Sequence, residues 1–140
     1  VIVADTGAVL ALLDADDRHH ARLAQLFEAS ASEWVIPWPV LPEVDHLARS
    51  RLGRRVASAF FGDVATGRLT VEWGVPGDLR RALQLDGRYA DLSLGLVDTV
   101  VMAMSERLGA RAIVTLDERH FGAVELEGAP EIWPRDRASG

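Results

Sequence analysis

The 140-residue chain contains no cysteine. A disulfide framework, a zinc–thiolate site and a cysteine nucleophile are therefore excluded. The absence also fits a reducing compartment. Lysine is missing too, so all 15 basic residues are arginine. Schiff-base catalysis, the P-loop lysine and the lysine of a phospho-receiver pocket are thereby excluded. A codon bias toward GC-rich DNA accounts for the arginine-only usage, and the chemical exclusion holds either way. Long apolar runs are absent as well. The stretch Leu94 to Met104 is interrupted by Asp98 and is too short to span a bilayer. The first residues, Val1-Ile2-Val3-Ala4-Asp5, lack the basic segment and apolar core of a signal peptide. The expectation is a soluble cytoplasmic protein with no membrane association.

Positive charge is in short supply, and the net charge is −6. Nucleic-acid affinity comes largely from cationic contacts with phosphates. An acidic chain binds a polyanion only where its positive charge is clustered or metal ions bridge to the phosphates.

What is present suits one soluble domain with a modest core: 49% apolar and 26% charged residues. No internal repeat or linker interrupts it. We expect a domain over residues 1–134 and a tail over 135–140. Val1 to Ala4 reads as a buried strand and Thr6 to Leu13 as a helix capped by Asp5 or Thr6. Leu23, Leu26 and Phe27 recur at helical spacing. Trp34 to Ile36 is a second strand, stopped by Pro37. Val40, Val44, Leu47 and Ala48 mark one face of a third helix. Val56 to Val64 reads as a fourth helix, Leu69 to Val71 as a weak strand, and a further helix follows Pro76. Leu94 to Leu108 is the strongest helix, with Gly109 in the stop position. Ala112 to Val114 and Glu131 to Trp133 complete the strands. This alternation predicts an α/β fold: a central parallel sheet covered by helices on both faces.

Most of the 21 acidic residues read as solvated surface. Four stand out. Asp5 ends the first apolar strand and Asp117 lies just past a later one, where parallel sheets form their sites. Thr6 and Thr115 flank them and could orient them by hydrogen bonding. Asp98 shares a face with Leu94, Val101 and Met102, so it falls on a stripe that should be buried. A buried carboxylate requires compensation by an arginine, a helix N-terminus or a metal ion. Glu43 lies in line with Val40 and Leu47, though a first-turn glutamate is also favoured by the helix dipole alone. Asp5 alone could be only a cap. Like charges brought together repel unless a cation sits among them. Oxygen donors without Cys or His suit Mg²⁺ or Mn²⁺ better than zinc. His19, His20, His46 and His120 are expected in surface or core-edge roles.

At these residues the chain resembles the PIN domains and, within them, the VapC toxins of bacterial toxin–antitoxin pairs. The resemblance rests on Val3-Ala4-Asp5-Thr6-Gly7-Ala8, Pro42-Glu43-Val44, Gly95-Leu96-Val97-Asp98-Thr99 and Thr115-Leu116-Asp117-Glu118-Arg119-His120-Phe121, in the family's order and at about its spacing. Thr99 departs from a common alanine. The resemblance implies a PIN-like three-layer α/β/α domain with Asp5, Glu43, Asp98 and Asp117 as its catalytic and metal-binding acids. Thr6 and Thr115 match the supporting hydroxyls, and Asp91 falls at a peripheral acidic position. It further implies an endoribonuclease that uses Mg²⁺, with Mn²⁺ as a substitute, and leaves 5′-phosphate and 3′-hydroxyl ends. Implied partners are an RNA such as a tRNA or ribosomal RNA loop, a cognate VapB-type antitoxin and a second copy in a homodimer. Arg49, Arg51, Arg54 and Arg55 are candidate RNA contacts, with a solvated helix end as the equal alternative. The competing reading is a PIN-fold module that binds RNA or protein without cleaving it. A haloacid-dehalogenase-type phosphatase also starts with an aspartate after strand one, but it needs a second aspartate two residues on and a lysine. Position 7 is glycine, and lysine is absent.

Overall fold

The computed structural model describes residues 1–138. Its five strands are β1 (Ile2–Ala4), β2 (Trp34–Pro37), β3 (Thr70–Glu72), β4 (Ala112–Val114) and β5 (Glu131–Trp133). They form one sheet in the order β3-β2-β1-β4-β5, and every pairing is parallel. The β-branched and small residues of β1 and β4 suit a strand covered on both faces, and all six are fully buried. Each buried Val or Ile contributes about 1.5–3 kcal/mol of transfer free energy.

Seven helices connect the strands: α1 (Thr6–Leu13), α2 (His20–Ser30), α3 (Val40–Arg51), α4 (Arg54–Ala65), α5 (Pro76–Arg88), α6 (Gly95–Arg107) and α7 (Glu118–Phe121). With the sheet they make the expected three-layer α/β/α architecture. The apolar spacing of α3 holds, with Val40, Val44 and Ala48 buried. Pro76 occupies the first position of α5, where its missing N–H leaves no bond unmade. Gly109 closes α6 with a φ of +60°. Among the described residues no helix is long and apolar enough to cross a membrane.

Two elements differ from expectation. The weak third strand is shifted by one residue, because its register pairs Val71 with Ile36 and Glu72 with Pro37. The segment expected as a tail from Arg135 is tied down as far as Ala138. Asp136 accepts from the Ile132 amide at 2.7 Å, and Arg22 donates to the Arg137 and Ala138 carbonyls. Arg137 and Arg111 each lie 5.1 Å from the Trp133 ring centre. An aromatic ring that attracts guanidinium groups gives this polar segment a reason to stay. Ser139 and Gly140, the rest of that segment, lie outside the described residues.

The strand order fixes where a site can form. From β1 the chain steps outward to β2 and β3, then returns to the other side of β1 for β4 and β5. The order therefore reverses between β1 and β4. In open parallel sheets the crevice at such a switch point, past the carboxyl ends of the strands, is where ligands bind.

Candidate metal centre

Asp5 follows β1 directly and Thr115 follows β4, so both stand at the switch point. Asp5 is 6% exposed. One of its oxygens, Oδ1, accepts from the Thr6 amide at 2.7 Å and caps α1. The other, Oδ2, accepts from the Thr115 hydroxyl at 3.0 Å. Thr115 Oγ1 in turn accepts from the Asp117 amide at 3.0 Å. One buried hydroxyl thus fixes the first aspartate and the backbone of the last. Thr6 contributes its amide, while its own sealed hydroxyl has no partner.

Asp117 caps the single turn of α7 by accepting from the His120 amide through Oδ1 at 3.1 Å. That turn carries the His120 ring back over the aspartate. His120 Nδ1 lies 2.9 Å from Asp117 Oδ2 and 3.3 Å from Asp98 Oδ2. Ligating atoms of Asp98, Asp117 and His120 all fall within 4.8 Å of one another. His120 Nδ1 is sealed from solvent yet has no hydrogen-bond partner in proper alignment.

Asp98 occupies the first turn of α6. Leu94, Val101 and Met102 on its face are buried as expected, but the Asp98 side chain is 21% exposed. It sits at the open margin of the apolar stripe rather than within it, because the crevice ends there. Among the described residues no arginine pairs with it. The helix N-terminus and His120 are what face it.

Electrostatics ties the acids into one unit. Burial pushes the Asp5 carboxyl from its ordinary 3.8 up to about 6. The Thr6 amide opposes this, the negative charge of Asp98 adds to it, Thr115 opposes it, and Glu43 adds to it. Asp98 is also held above the usual carboxylate range, first by burial and then by Asp117, with His120 opposing and Glu43 adding. Glu43 is therefore felt by both Asp5 and Asp98, although it is itself exposed in the first turn of α3. A set of carboxylates that disfavour one another's charge, beside an imidazole nitrogen lacking an aligned partner, fits a divalent cation.

The remaining expected residues lie apart. Asp91 is exposed in the 3₁₀ turn Ala90–Leu92. Arg49, Arg51, Arg54 and Arg55 are exposed around the junction of α3 and α4. Eight residues of helix separate Arg51 from Glu43, roughly 12 Å along the axis. Arg49 is held by Asp45 at 3.0 Å, which leaves Arg51, Arg54 and Arg55 as the unpaired cations of this cluster among the described residues.

His120 is the residue whose part in the cluster sequence reasoning missed. It is half-buried, in keeping with the expected core-edge position, but the α7 turn also brings it into the acidic cluster. The Asp-x-x-His spacing of Asp117 and His120 carries the signal, since residues three apart share one side of a helical turn.

The family model of the PIN domain matches residues 2–126. Ribonuclease VapC26 of Mycobacterium tuberculosis is 29% identical over 127 residues, covering 91% of this chain and 94% of its own. Among solved structures, VapC20 of M. tuberculosis, a sarcin-ricin loop cleaving toxin, aligns with a TM-score of 0.77 at 23% identity. That alignment covers 91% of this chain and 99% of the other. The DNA-bound VapBC complex of Salmonella typhimurium aligns with a TM-score of 0.71 at 19% identity, over 94% and 95% of the two chains. Likeness at these structural identities speaks to the fold alone.

Proposed function

The chain belongs to the PIN-domain family, and from that premise we propose that it is a metal-dependent endoribonuclease, the toxin of a toxin–antitoxin pair. The observation that carries this reading is the acidic group at the β1/β4 switch point: Asp98 and Asp117 with ligating atoms within 4.8 Å, and Asp5 tied to the Asp117 backbone through Thr115, with the Asp5 and Asp98 carboxyls both held above the usual range. A fold has no need of such a cluster, and its repulsion works against stability. Its use is to hold a cation. The 29% identical relative is named a ribonuclease, and VapC20 is a toxin that cleaves an RNA loop.

In this reading Asp5, Glu43, Asp98 and Asp117 hold one or two Mg²⁺ ions, with Mn²⁺ as a substitute. When bound, the cation supplies a more acidic water and charge neutralisation at the scissile phosphate. The chain's own residues do the positioning. Thr115 holds Asp5 and the Asp117 backbone in one frame, and Thr6 anchors the second oxygen of Asp5 through its amide. The exposed side of the cluster, toward Asp117 and Glu43, is the open approach for a phosphodiester. Arg51, Arg54 and Arg55 give positive charge along the path of an RNA that runs beside α3. Partners under this reading are an RNA loop, a VapB-type antitoxin and a second copy of the chain.

The test is incubation of purified protein with structured RNAs in Mg²⁺, in EDTA, and with Asp98→Asn. Cleavage is expected only in the first condition. Cleavage that survives both EDTA and Asp98→Asn would sink the assignment. Saturable RNA binding without cleavage would establish the non-cleaving module instead.

A further inference from the structure

Of the three groups whose ligating atoms converge most closely, one is not a carboxylate. The position of His120 calls for a physical cause. Its Nδ1 approaches Asp117 Oδ2 to 2.9 Å and Asp98 Oδ2 to 3.3 Å. Attraction to the two carboxylates draws the ring in, and His120 eases the charge on Asp98, yet neither contact is aligned well enough to give the nitrogen a full hydrogen-bond partner, so simple pairing does not satisfy it. Helix capping does not require it either. The cap uses Asp117 Oδ1 and the His120 backbone amide, and leaves Oδ2 and the ring free. A sealed polar atom without a partner is a cost that folded proteins rarely carry.

The distances have a second meaning. In an octahedral site with bonds of about 2.1 Å, neighbouring donor atoms stand about 3 Å apart. The two separations from Nδ1 bracket that value. Moreover, Asp98 comes from α6, while Asp117 caps α7 and His120 lies within it, so one turn of α7 alone did not dictate the grouping.

We propose that His120 is a nitrogen ligand of the metal centre, completing an Asp98/Asp117/His120 site that selects Mn²⁺ over Mg²⁺. This rests on the metal-dependent reading above, adds a residue to it, and reverses its order of ions by placing Mn²⁺ before Mg²⁺. The chemical ground is donor type. Carboxylate and water suit Mg²⁺ and Mn²⁺ alike, whereas an imidazole nitrogen adds affinity for first-row transition ions and little for Mg²⁺. An all-oxygen quartet would leave the choice to abundance, and one imidazole biases it.

The experiment uses the full chain loaded with Mn²⁺ and reads nitrogen coupling to the ion by pulsed electron paramagnetic resonance. Calorimetry of Mn²⁺ and Mg²⁺ binding runs alongside. The wild type is expected to show a directly coordinated ¹⁴N that disappears in His120→Asn. The preference for Mn²⁺ over Mg²⁺ is expected to fall by roughly tenfold in that variant. His120→Asp, which supplies oxygen in place of nitrogen, is expected to bind both ions and to shift the preference toward Mg²⁺. The wild-type spectrum decides the matter even if a variant does not fold. Bound Mn²⁺ with no nitrogen coupling, or coupling that persists in folded His120→Asn, overturns the role of His120 and leaves the nuclease reading standing. Failure of both ions to bind the wild type overturns both readings.

Discussion

Thr115 donates its hydroxyl to Asp5 Oδ2 at 3.0 Å, joining residues 110 positions apart at the ends of adjacent strands. The same oxygen receives the Asp117 amide. A threonine hydroxyl has one donor and two acceptor sites, so both bonds are made at once. Thr115→Val keeps the shape and removes both. We expect a destabilisation of about 1–3 kcal/mol from the unpaired buried groups. Metal affinity should fall roughly 10- to 100-fold, as when a partner that orients a ligand is lost. Thr115→Ser should retain most of both. Urea unfolding and calorimetry with Mn²⁺ or Mg²⁺ check this. Equal metal affinity in the folded Val variant would show that Thr115 merely packs.

The raised carboxyl of Asp5 makes a pH prediction whose sign is fixed. Below its ordinary 3.8 the group is protonated in both folded and unfolded chains, and contributes no difference. Between 3.8 and about 6 the unfolded chain gives up the proton while the folded chain keeps it. The folded state therefore loses stability as pH rises through that window, and the penalty is complete above it. Its size is on the order of 3 kcal/mol. Asp5→Asn removes the charge and keeps a good capping residue for α1. In EDTA the variant should melt higher than wild type at pH 8 and at about the same temperature at pH 4. Bound cation reverses the order at pH 8, because only the wild type has the carboxylate. A difference in melting temperature that stays constant with pH would rule out burial of the charge as its cause.

Much of this arrangement is legible in the chain itself. Short apolar runs that end in Asp5 or lead to Asp117 announce strand ends, and strands that alternate with helices announce a parallel sheet. What the pattern does not carry is the order of strands, and hence which two ends lie side by side. Val1 to Ala4 and Ala112 to Val114 become neighbours only through packing across the whole domain. His120 was missed for a related reason. A polar residue just past an aspartate reads as loop, and a four-residue helix is too short to show a period. The segment from Arg135 was read as a tail. Its anchors are the Trp133 ring, which Arg137 approaches, and the bonds from the Ile132 amide and from Arg22, contacts made only once distant parts of the chain are packed together. Asp98 was read as buried because three apolar neighbours share its face. Only the edge of the crevice decides that it is partly open.

A second electrostatic feature bears on stability rather than on the site. Asp78 is 3% exposed, and its carboxylate pairs with Arg107 at 2.7 Å and accepts from the Val75 amide at 2.9 Å. Arg107 also reaches Glu72 at 3.0 Å, so it ties α6 to α5 and to the end of β3. Arg107→Leu leaves Asp78 buried with its amide but without its cation. Removing one partner of a buried pair costs about 3–5 kcal/mol, and the partial exposure of Arg107 places the expectation at or below the lower end. Asp78→Asn with Arg107→Leu should recover part of that loss. A double-mutant cycle in urea measures it, and strict additivity of the two changes would remove the coupling.

The arginine cluster at the α3–α4 junction divides by whether a partner already holds each side chain. Arg49 gives both oxygens of Asp45 a bond from Nε at 3.0 Å. Arg51, Arg54 and Arg55 have no such partner among the described residues. If these three meet RNA phosphates, replacing them with glutamine raises KM for RNA and leaves metal affinity unchanged. Each lost contact with single-stranded RNA should also reduce the salt dependence of binding by about 0.7 in log–log slope. Arg49→Gln should do less, since its charge is already half spent on Asp45. The converse is sharper: Asp45→Asn frees Arg49 and removes a negative charge beside the path, so RNA binding should tighten and its salt slope should steepen. Filter binding at several salt concentrations reads all of these. A slope that is unchanged by the triple substitution and by Asp45→Asn would mean that this helix end faces only water.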